Sequence, residues 1–449
     1  MTSVVRDRAT SRLGGGFWRL WSASVMSELG DGASLVAYPW LASTLTRNPV
    51  LISATLVASR VPWLLFSLPA GILVDRMDRR ILMVCVNVAR AGLTAAIALL
   101  VLADLMNIWL LCAGILLLGA GEVLSDIAAG AVLPSMVAHE QLERANGRLW
   151  SAQSAANGLL GPPLGGALLA IGIAVPIMFD AGTFAVAAGL LLLLTGQFRG
   201  GNGNGGSARA STRLVDELHA GLRFVWREPV LRTLFCTEAV LNTAATMAIA
   251  TYVLYVRENL GLGGASYGVL MTAGAIGVIV GSLVASRVVD TIGVSATMIM
   301  FFAIATTCYL VTGTTSQPVV AGAANAGFTL VAVIWNVITV SFTQRVVPGH
   351  LMGRVGGVNR WFAFGAMPLG AIGGGLLVQW LTPIAGQQWA VRSPFLLSGV
   401  IFAVTGLAVG RHFTSARLNR TRAADADVLP ESARDQESSD ALHPQHERT

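Results

Sequence analysis

Glu28 and Asp31 stand three residues apart in a long apolar run, 17–45, whose only other charge is Arg19. On a helix this spacing puts both carboxylates on roughly one face, with Asp31 about 20 Å along by the rise per residue. Glu122 and Asp126 repeat the arrangement at i, i+4 in the run 107–137, and Arg60 and Glu238 each sit among apolar neighbours. Charge deep in an apolar setting is costly unless paired or hydrated, so its presence marks a pathway or a structural pair. The chemistry open to such carboxylates is reversible proton binding and attraction of a cation. Arg60 falls at a depth comparable to Asp31, which leaves two readings of that acid. It is a proton-coupling carboxylate, with Glu28 beside it and Arg60 tuning it, or it is half of a permanent Asp31–Arg60 pair. Glu238 repeats the position of Glu28, and Glu122 extends the same set of pathway candidates. Arg90 and Arg360 lie nearer the ends of their runs, where a long side chain can snorkel.

Other chemistries find no support. Cys85, Cys112, Cys236 and Cys308 are far apart and lie within apolar runs, without metal-ligand spacing or a disulfide framework. The histidines show no metal spacing, and no nucleophile–base set appears, so neither enzyme, metal nor cofactor is expected. All 30 basic residues are arginine. Without a lysine there is no Walker A motif, so any energy comes from an ion gradient or another subunit. Gly274, Gly277 and Gly281 follow no strand and read as helix-packing glycines, not a nucleotide loop.

The elements that must hold the acids are membrane helices. Hydrophobic residues make up 54% of the 449 and charged residues 12%, about half of what a soluble surface carries. A spanning helix needs about 20 mostly apolar residues. Such runs fall at 17–45, 51–73, 81–102, 107–137, 145–171 and 174–195, then at 229–256, 265–289, 293–313, 317–347, 351–382 and 391–411. The pattern predicts an all-α membrane protein of about twelve transmembrane helices in two pseudo-symmetric six-helix bundles. The first run is too long for the apolar core of a cleaved leader. Arginines crowd alternate loops: Arg76, Arg79 and Arg80, then Arg144 and Arg148, then Arg209 to Arg232 and the tail. The other loops hold only Arg47, Arg257 and Arg392, so both termini are expected in the cytoplasm of a cell-membrane protein. The net charge of +6 therefore serves topology and implies no nucleic acid.

The expected organisation is a segment 1–16, a bundle 17–195, a linker 196–228, a bundle 229–411 and a disordered tail 412–449. The run Gly200 to Gly206 reads as flexible, and Leu214–Trp226 has the apolar spacing of a surface helix. Internal repetition ties the halves together. Glu28 and Glu238 are 210 positions apart, as are Gly71–Val74 and Gly281–Val284, while Gly165-Gly166 and Gly373-Gly374 differ by 208. Tandem halves of this kind place a transport site at their interface. Trp18, Trp21 and Trp40 read as interface anchors. Trp335, Asn336 and Trp361 are open to either packing or a cavity lining.

Two motifs carry a family resemblance. The loop Gly71-Ile-Leu-Val-Asp75-Arg76-Met-Asp78-Arg79-Arg80 resembles the signature loop of the major facilitator superfamily. The resemblance covers the chain to about Arg411. Asp78 stands where many members have glycine, and the Asp-Arg-x-Asp-Arg-Arg form is similar to the branch of macrolide efflux pumps, the enterobactin exporter and actinobacterial drug efflux proteins. Glu28-Leu-Gly-Asp31-Gly and Tyr38-Pro39-Trp40 fit the same branch. The loop then reads as a conformational latch: Gly71 for close approach, Asp75 at the start of span 11, and Arg76 or Arg79 paired with Asp126. Alternatively Arg76, Arg79 and Arg80 only set topology. In the second motif, Gly161, Pro162, Gly165 and Gly166 resemble the Gly-Pro-x-x-Gly-Gly segment of the superfamily's exporters, against a background of ordinary glycine packing.

The resemblance implies a secondary active transporter that exports drug-like or amphiphilic small molecules by alternating access. Protons are the coupling ion in this reading, the bilayer and the substrate the only partners, and the chain a monomer. Alternatives are export of a siderophore or other endogenous metabolite, and a non-transporting scaffold or receptor. The last would have a degenerate latch and no buried carboxylates.

Overall fold

The computed structural model describes residues 13–138, 141–194, 221–348 and 351–410; within its helices the side chains of a few residues, Asp75 among them, lie outside that description. The linker core, the surface helix before residue 221 and the tail therefore fall outside it. Residues 221–227 are helical, with Val225 buried.

Among the described residues, nine helices are long and apolar enough to cross a membrane by length and composition. Two of these hold two spans each. One continuous run, Gly264–Thr314, has 51 residues, about 77 Å at the helical rise and more than twice a hydrocarbon core. It turns at Gly293, and the last run turns at Gly386, both with φ of +78°. Side-chain-bearing residues rarely adopt that conformation, so one glycine replaces each loop. The helix Gly15–Leu45, with its three charges, is the remaining span.

The twelve are α1 (Gly15–Leu45), α2 (Pro49–Arg76), α3 (Arg79–Leu102), α4 (Ile108–Val132), α5 (Leu142–Ile171), α6 (Val175–Leu192), α7 (Pro229–Asn259), α8 (264–292), α9 (294–314), α10 (Pro318–Val346), α11 (352–385) and α12 (387–410). Most starts have a local cause. Asn48, Asp78 and Asn107 cap α2, α3 and α4 by accepting backbone N–H bonds, and proline follows the cap of α2, α7 and α10. Asp78, the residue departing from the family glycine, is thus a helix cap: its carboxylate accepts from the N–H groups of Arg80 and Ile81.

The repeat of the halves is visible in packing, at an offset of 209. Gly161 and Gly165 of α5 lie on the α1 backbone at Gly32 and Ala33; Gly370 and Gly374 of α11 lie on the α7 backbone at Thr243 and Met247. Gly166 and Gly375 form a third pair at the same offset, and these two face the other half. A Cβ on Gly166 would stand 2.8 Å from the Cα of Gly268 in α8, and one on Gly375 would stand 2.8 Å from the Cα of Val50 in α2. Gly374 therefore answers to Gly165, one place from the sequence alignment. Small residues here let helix backbones touch.

Among the described residues, the buried core that the two halves share lies at one end, that of the α1–α2 turn. There Trp40 stacks on Tyr267 at 6.2 Å between ring centroids, and Arg257 donates to the backbone oxygen of Ser43. Trp40 is thus part of the contact between halves as well as a residue near a helix end. At the opposite end, that of the α2–α3 turn, a separate buried cluster (Phe17, Leu20, Leu82, Met83, Leu133 and Leu191 among it) belongs to the first half alone. Among the described residues no buried core joins the halves at that end, so the cleft between them opens toward the α2–α3 turn.

Candidate functional site

The ionisable residues of the first half converge at the middle of α1. Arg90 of α3 donates through Nη2 to Asp31 Oδ1 at 2.7 Å, and its Nη1 stands 3.4 Å from the Ser27 hydroxyl. Its guanidinium lies 4.0 Å from the centre of the Phe184 ring on α6. Arg90 is only 4% exposed, whereas Asp31 keeps 21%. Gly121 of α4 makes room for the arginine stem, since a Cβ there would stand 2.9 Å from its Cγ.

This arrangement corrects the pairing expected from depth alone. Asp31 bonds Arg90, not Arg60, and Arg90 is buried rather than snorkelling. Counting residues from a helix end says nothing about azimuth, and Arg60 is on α2, which packs on α4. Its electrostatic influence falls on Glu122, and it has no ion pair or hydrogen bond among the described residues.

Glu28 sits one turn before Asp31, where its Oε2 accepts from Asn157 Nδ2 at 2.9 Å. Asn157 lies in a π turn, Ala155–Leu160, immediately before Gly161 and Pro162. Pro162 and Pro163 have no N–H to return to the preceding turn, so the helix there is free to widen. The prolines of the exporter-type segment thereby shape the turn that presents Asn157 to α1. Glu122 and Asp126 of α4 stand within electrostatic reach of Asp31 and Arg90. Asp126, proposed as the latch carboxylate, has no ion pair among the described residues. Arg79 instead donates to the Ala131 carbonyl at 2.9 Å, and Arg80 to the carbonyls of Leu191 and Leu192 at 3.2 and 2.5 Å. These guanidiniums cap the C-terminal ends of α4 and α6, where the helix dipole favours a cation. Among the described residues, none comes within 4 Å of a Cβ added at Gly71, so no close approach is seen at that residue in this conformation. Arg76 is exposed at the end of α2.

Sequence reasoning missed Asp180. It is 1% exposed on α6, accepting from the Ser34 hydroxyl of α1 at 2.6 Å. The signal was present as a lone acid within the apolar run 174–195. Glu238, though it repeats Glu28 in sequence, has no comparable setting: its Oε2 is buried without a hydrogen-bond partner among the described residues. Trp335 is packed, stacking on Phe301 at 4.8 Å, whereas Trp361 is 69% exposed. A cavity of about 100 Å³ inside the second half is lined by Tyr252, Tyr309, Phe328, Phe395, Asn325 and Thr329, with no charge among its walls.

Two related six-helix halves about a cleft, with an ion pair inside one of them, define a multi-pass membrane transporter of small molecules. The profile of the transmembrane secretion effector family matches residues 14–431, and the chain belongs to that family, in the drug efflux branch of the major facilitator superfamily. It is 29% identical over 409 residues to the multidrug efflux pump Tap of Mycolicibacterium fortuitum, covering 84% of this chain and 93% of that one. It is 28% identical to Tap of Mycobacterium tuberculosis over 429 residues, 90% and 95% of the two chains. An uncharacterised transporter of the superfamily from Bacillus subtilis, YfiS, is 24% identical over 422 residues, 90% and 94% of the chains. Among solved structures, the nucleoside transporter NupG superposes with a TM-score of 0.70 at 13% identity, covering 89% of this chain and all of that one. A bacterial homologue of the lysosomal transporter Spinster, inward-facing and unoccupied, gives 0.70 at 12% identity, 89% and 97% covered. At those identities the likeness is one of fold.

Proposed function

We propose that this chain exports drug-like amphiphilic molecules by alternating access in exchange for protons, with both termini in the cytoplasm. The observation that carries the reading is the Asp31–Arg90 pair, held in the interior of the first half with Asp31 still partly open. A carboxylate so placed can carry either a proton or the charge of the pair, and the two cannot be satisfied together. Proton binding at Asp31 releases Arg90 and changes the charge inside the half, which is what drives a transporter between states. Glu28, through Asn157, ties that change to α5, one of the helices on which the halves meet. With the arginine-rich loops inside, the cleft faces the cytoplasm, ready to load an outgoing molecule. The uncharged aromatic cavity of the second half supplies the apolar side of an amphiphile's site. The 28–29% identity to Tap pumps supports a drug-like cargo. Arg79 and Arg80, capping α4 and α6, support the latch reading of the α2–α3 turn, with Asp75 as its acidic member.

The test is overexpression and deletion with a panel of drugs and siderophores, with and without a protonophore, comparing the chain with Asp31→Asn. Export is expected to collapse in the presence of the protonophore and in the variant. A variant that exports with undiminished dependence on the proton gradient removes Asp31 from the coupling. Protection against siderophore accumulation alone moves the cargo to an endogenous metabolite.

A further inference from the structure

The junction of α1, α3 and α6 holds more polar groups than the Asp31–Arg90 pair uses. Asp180 presents one oxygen to Ser34, while its Oδ1 has no hydrogen-bond partner among the described residues. Arg90 Nε shares that condition at the same junction, where the Tyr38 hydroxyl lies within hydrogen-bonding reach of Ser34 and Thr94. Buried polar groups are almost always satisfied, so an acid and an arginine on neighbouring helices, each left with an unpartnered atom, call for an exchange. Gly30 lets α6 bring Asp180 this close to α1, since a Cβ there would run into Asp180 and Thr183. Arg90 is placed to reach both acids. It bonds Asp31 on α1, yet its guanidinium rests on Phe184, one helical turn from Asp180 on α6.

We propose that Asp180 is a second proton-binding site, and that Arg90 exchanges between Asp31 and Asp180 as one proton passes between them. A single guanidinium neutralises one carboxylate, and a second bare charge in this interior is expensive. With Arg90 on Asp31, Asp180 carries the proton. When the proton moves to Asp31, Asp180 becomes the carboxylate and takes Arg90; one O–H bond breaks, one forms, and net charge is unchanged. The ionisable groups facing Asp180 are Asp31 and Tyr38 of α1 and Arg90 of α3, while Glu28, Glu122 and Asp126 act on the Asp31 end. Asp180 thereby extends the proton path behind α1, away from the cleft and toward the α1–α2 turn. The inference rests on the proton-coupled reading, but its test needs no cargo.

The test is infrared spectroscopy of the full chain in lipid bilayers at neutral pH, following the C=O stretch of protonated carboxylic acids and its shift in heavy water. The native chain is expected to show a band that Asp180→Asn removes. Asp31→Asn frees Arg90 for Asp180, so it too loses that band and matches the Asp31→Asn/Asp180→Asn chain. Ser34→Ala keeps the carboxyl and removes its donor, so it shifts the band; this variant and Asp31→Asn carry the test if Asp180→Asn does not fold. An unchanged spectrum in Asp180→Asn, an unshifted one in Ser34→Ala, or a band in Asp31→Asn that the double variant lacks each overturns the exchange. Transport indifferent to a protonophore, with the bands as expected, removes the antiport reading and leaves the site standing.

Discussion

Asn157 donates to Glu28 across 2.9 Å, and in doing so joins the π turn of α5 to the middle of α1. The same α5 meets the second half a few residues later, at Gly166 against Gly268. One hydrogen bond thus connects a buried acid to a helix that must slide when the halves rock. A bond to a charged group contributes about 1.5–3 kcal/mol. Asn157→Leu is therefore expected to slow export about tenfold or more with unchanged protein in the membrane. Export rate per unit of purified protein decides the matter, and a rate equal to the native one removes Asn157 from the coupling.

Arg90 stands between two acids, so its loss leaves charge without a partner. Removing one member of a buried pair costs about 3–5 kcal/mol. Arg90→Ala should lower the thermal midpoint sharply, and adding Asp31→Asn should restore part of the loss. Arg90→Lys keeps the charge but loses the planar stacking on Phe184, so it should fall between the two. Thermal unfolding in detergent ranks the four chains; equal midpoints would show that the pair is not structural.

At Gly166 and Gly375 the backbones of the two halves meet. A valine at either position meets backbone, which cannot yield as a side chain can. Gly166→Val and Gly375→Val should spread the halves at the α1–α2-turn end and shift the population toward the state open there. Spin labels on the α1–α2 turn and on the α9–α10 turn report this as a longer distance; an unchanged distribution refutes it.

Asp75 and Asp78 lie three residues apart and should respond differently. Asp78→Ala loses an N-cap, a cost of about 1 kcal/mol in stability with transport retained. Asp75→Asn should abolish most transport while leaving membrane insertion and stability intact. If both variants transport at the native rate, the α2–α3 turn serves topology only.

The arginine distribution predicts a cytoplasmic C-terminus. Green fluorescent protein fused after Thr449 should fluoresce, and alkaline phosphatase fused there should be inactive. The reverse pair of results inverts the orientation and, with it, the direction in which the cleft opens.

The architecture was legible in the residues because hydrocarbon imposes a one-dimensional rule. Each span needs about 20 apolar residues whatever its neighbours, and each short loop has only to hold or lack arginine. Span number, duplication and superfamily could thus be read along the chain. Even the two turns made by a single glycine, at 293 and 386, fall at the breaks between the apolar runs 265–289 and 293–313 and between 351–382 and 391–411. The site was half legible. Glu28, Asp31 and Glu122 stood out as charges in apolar runs, but their partners depend on helix azimuth and on which helices pack together. That is why Arg90 of α3, and not Arg60 at equal depth, reaches Asp31, and why Asp180 of α6 comes to lie behind α1. Linear position determines how deep a charge sits; only the packed bundle decides what it meets.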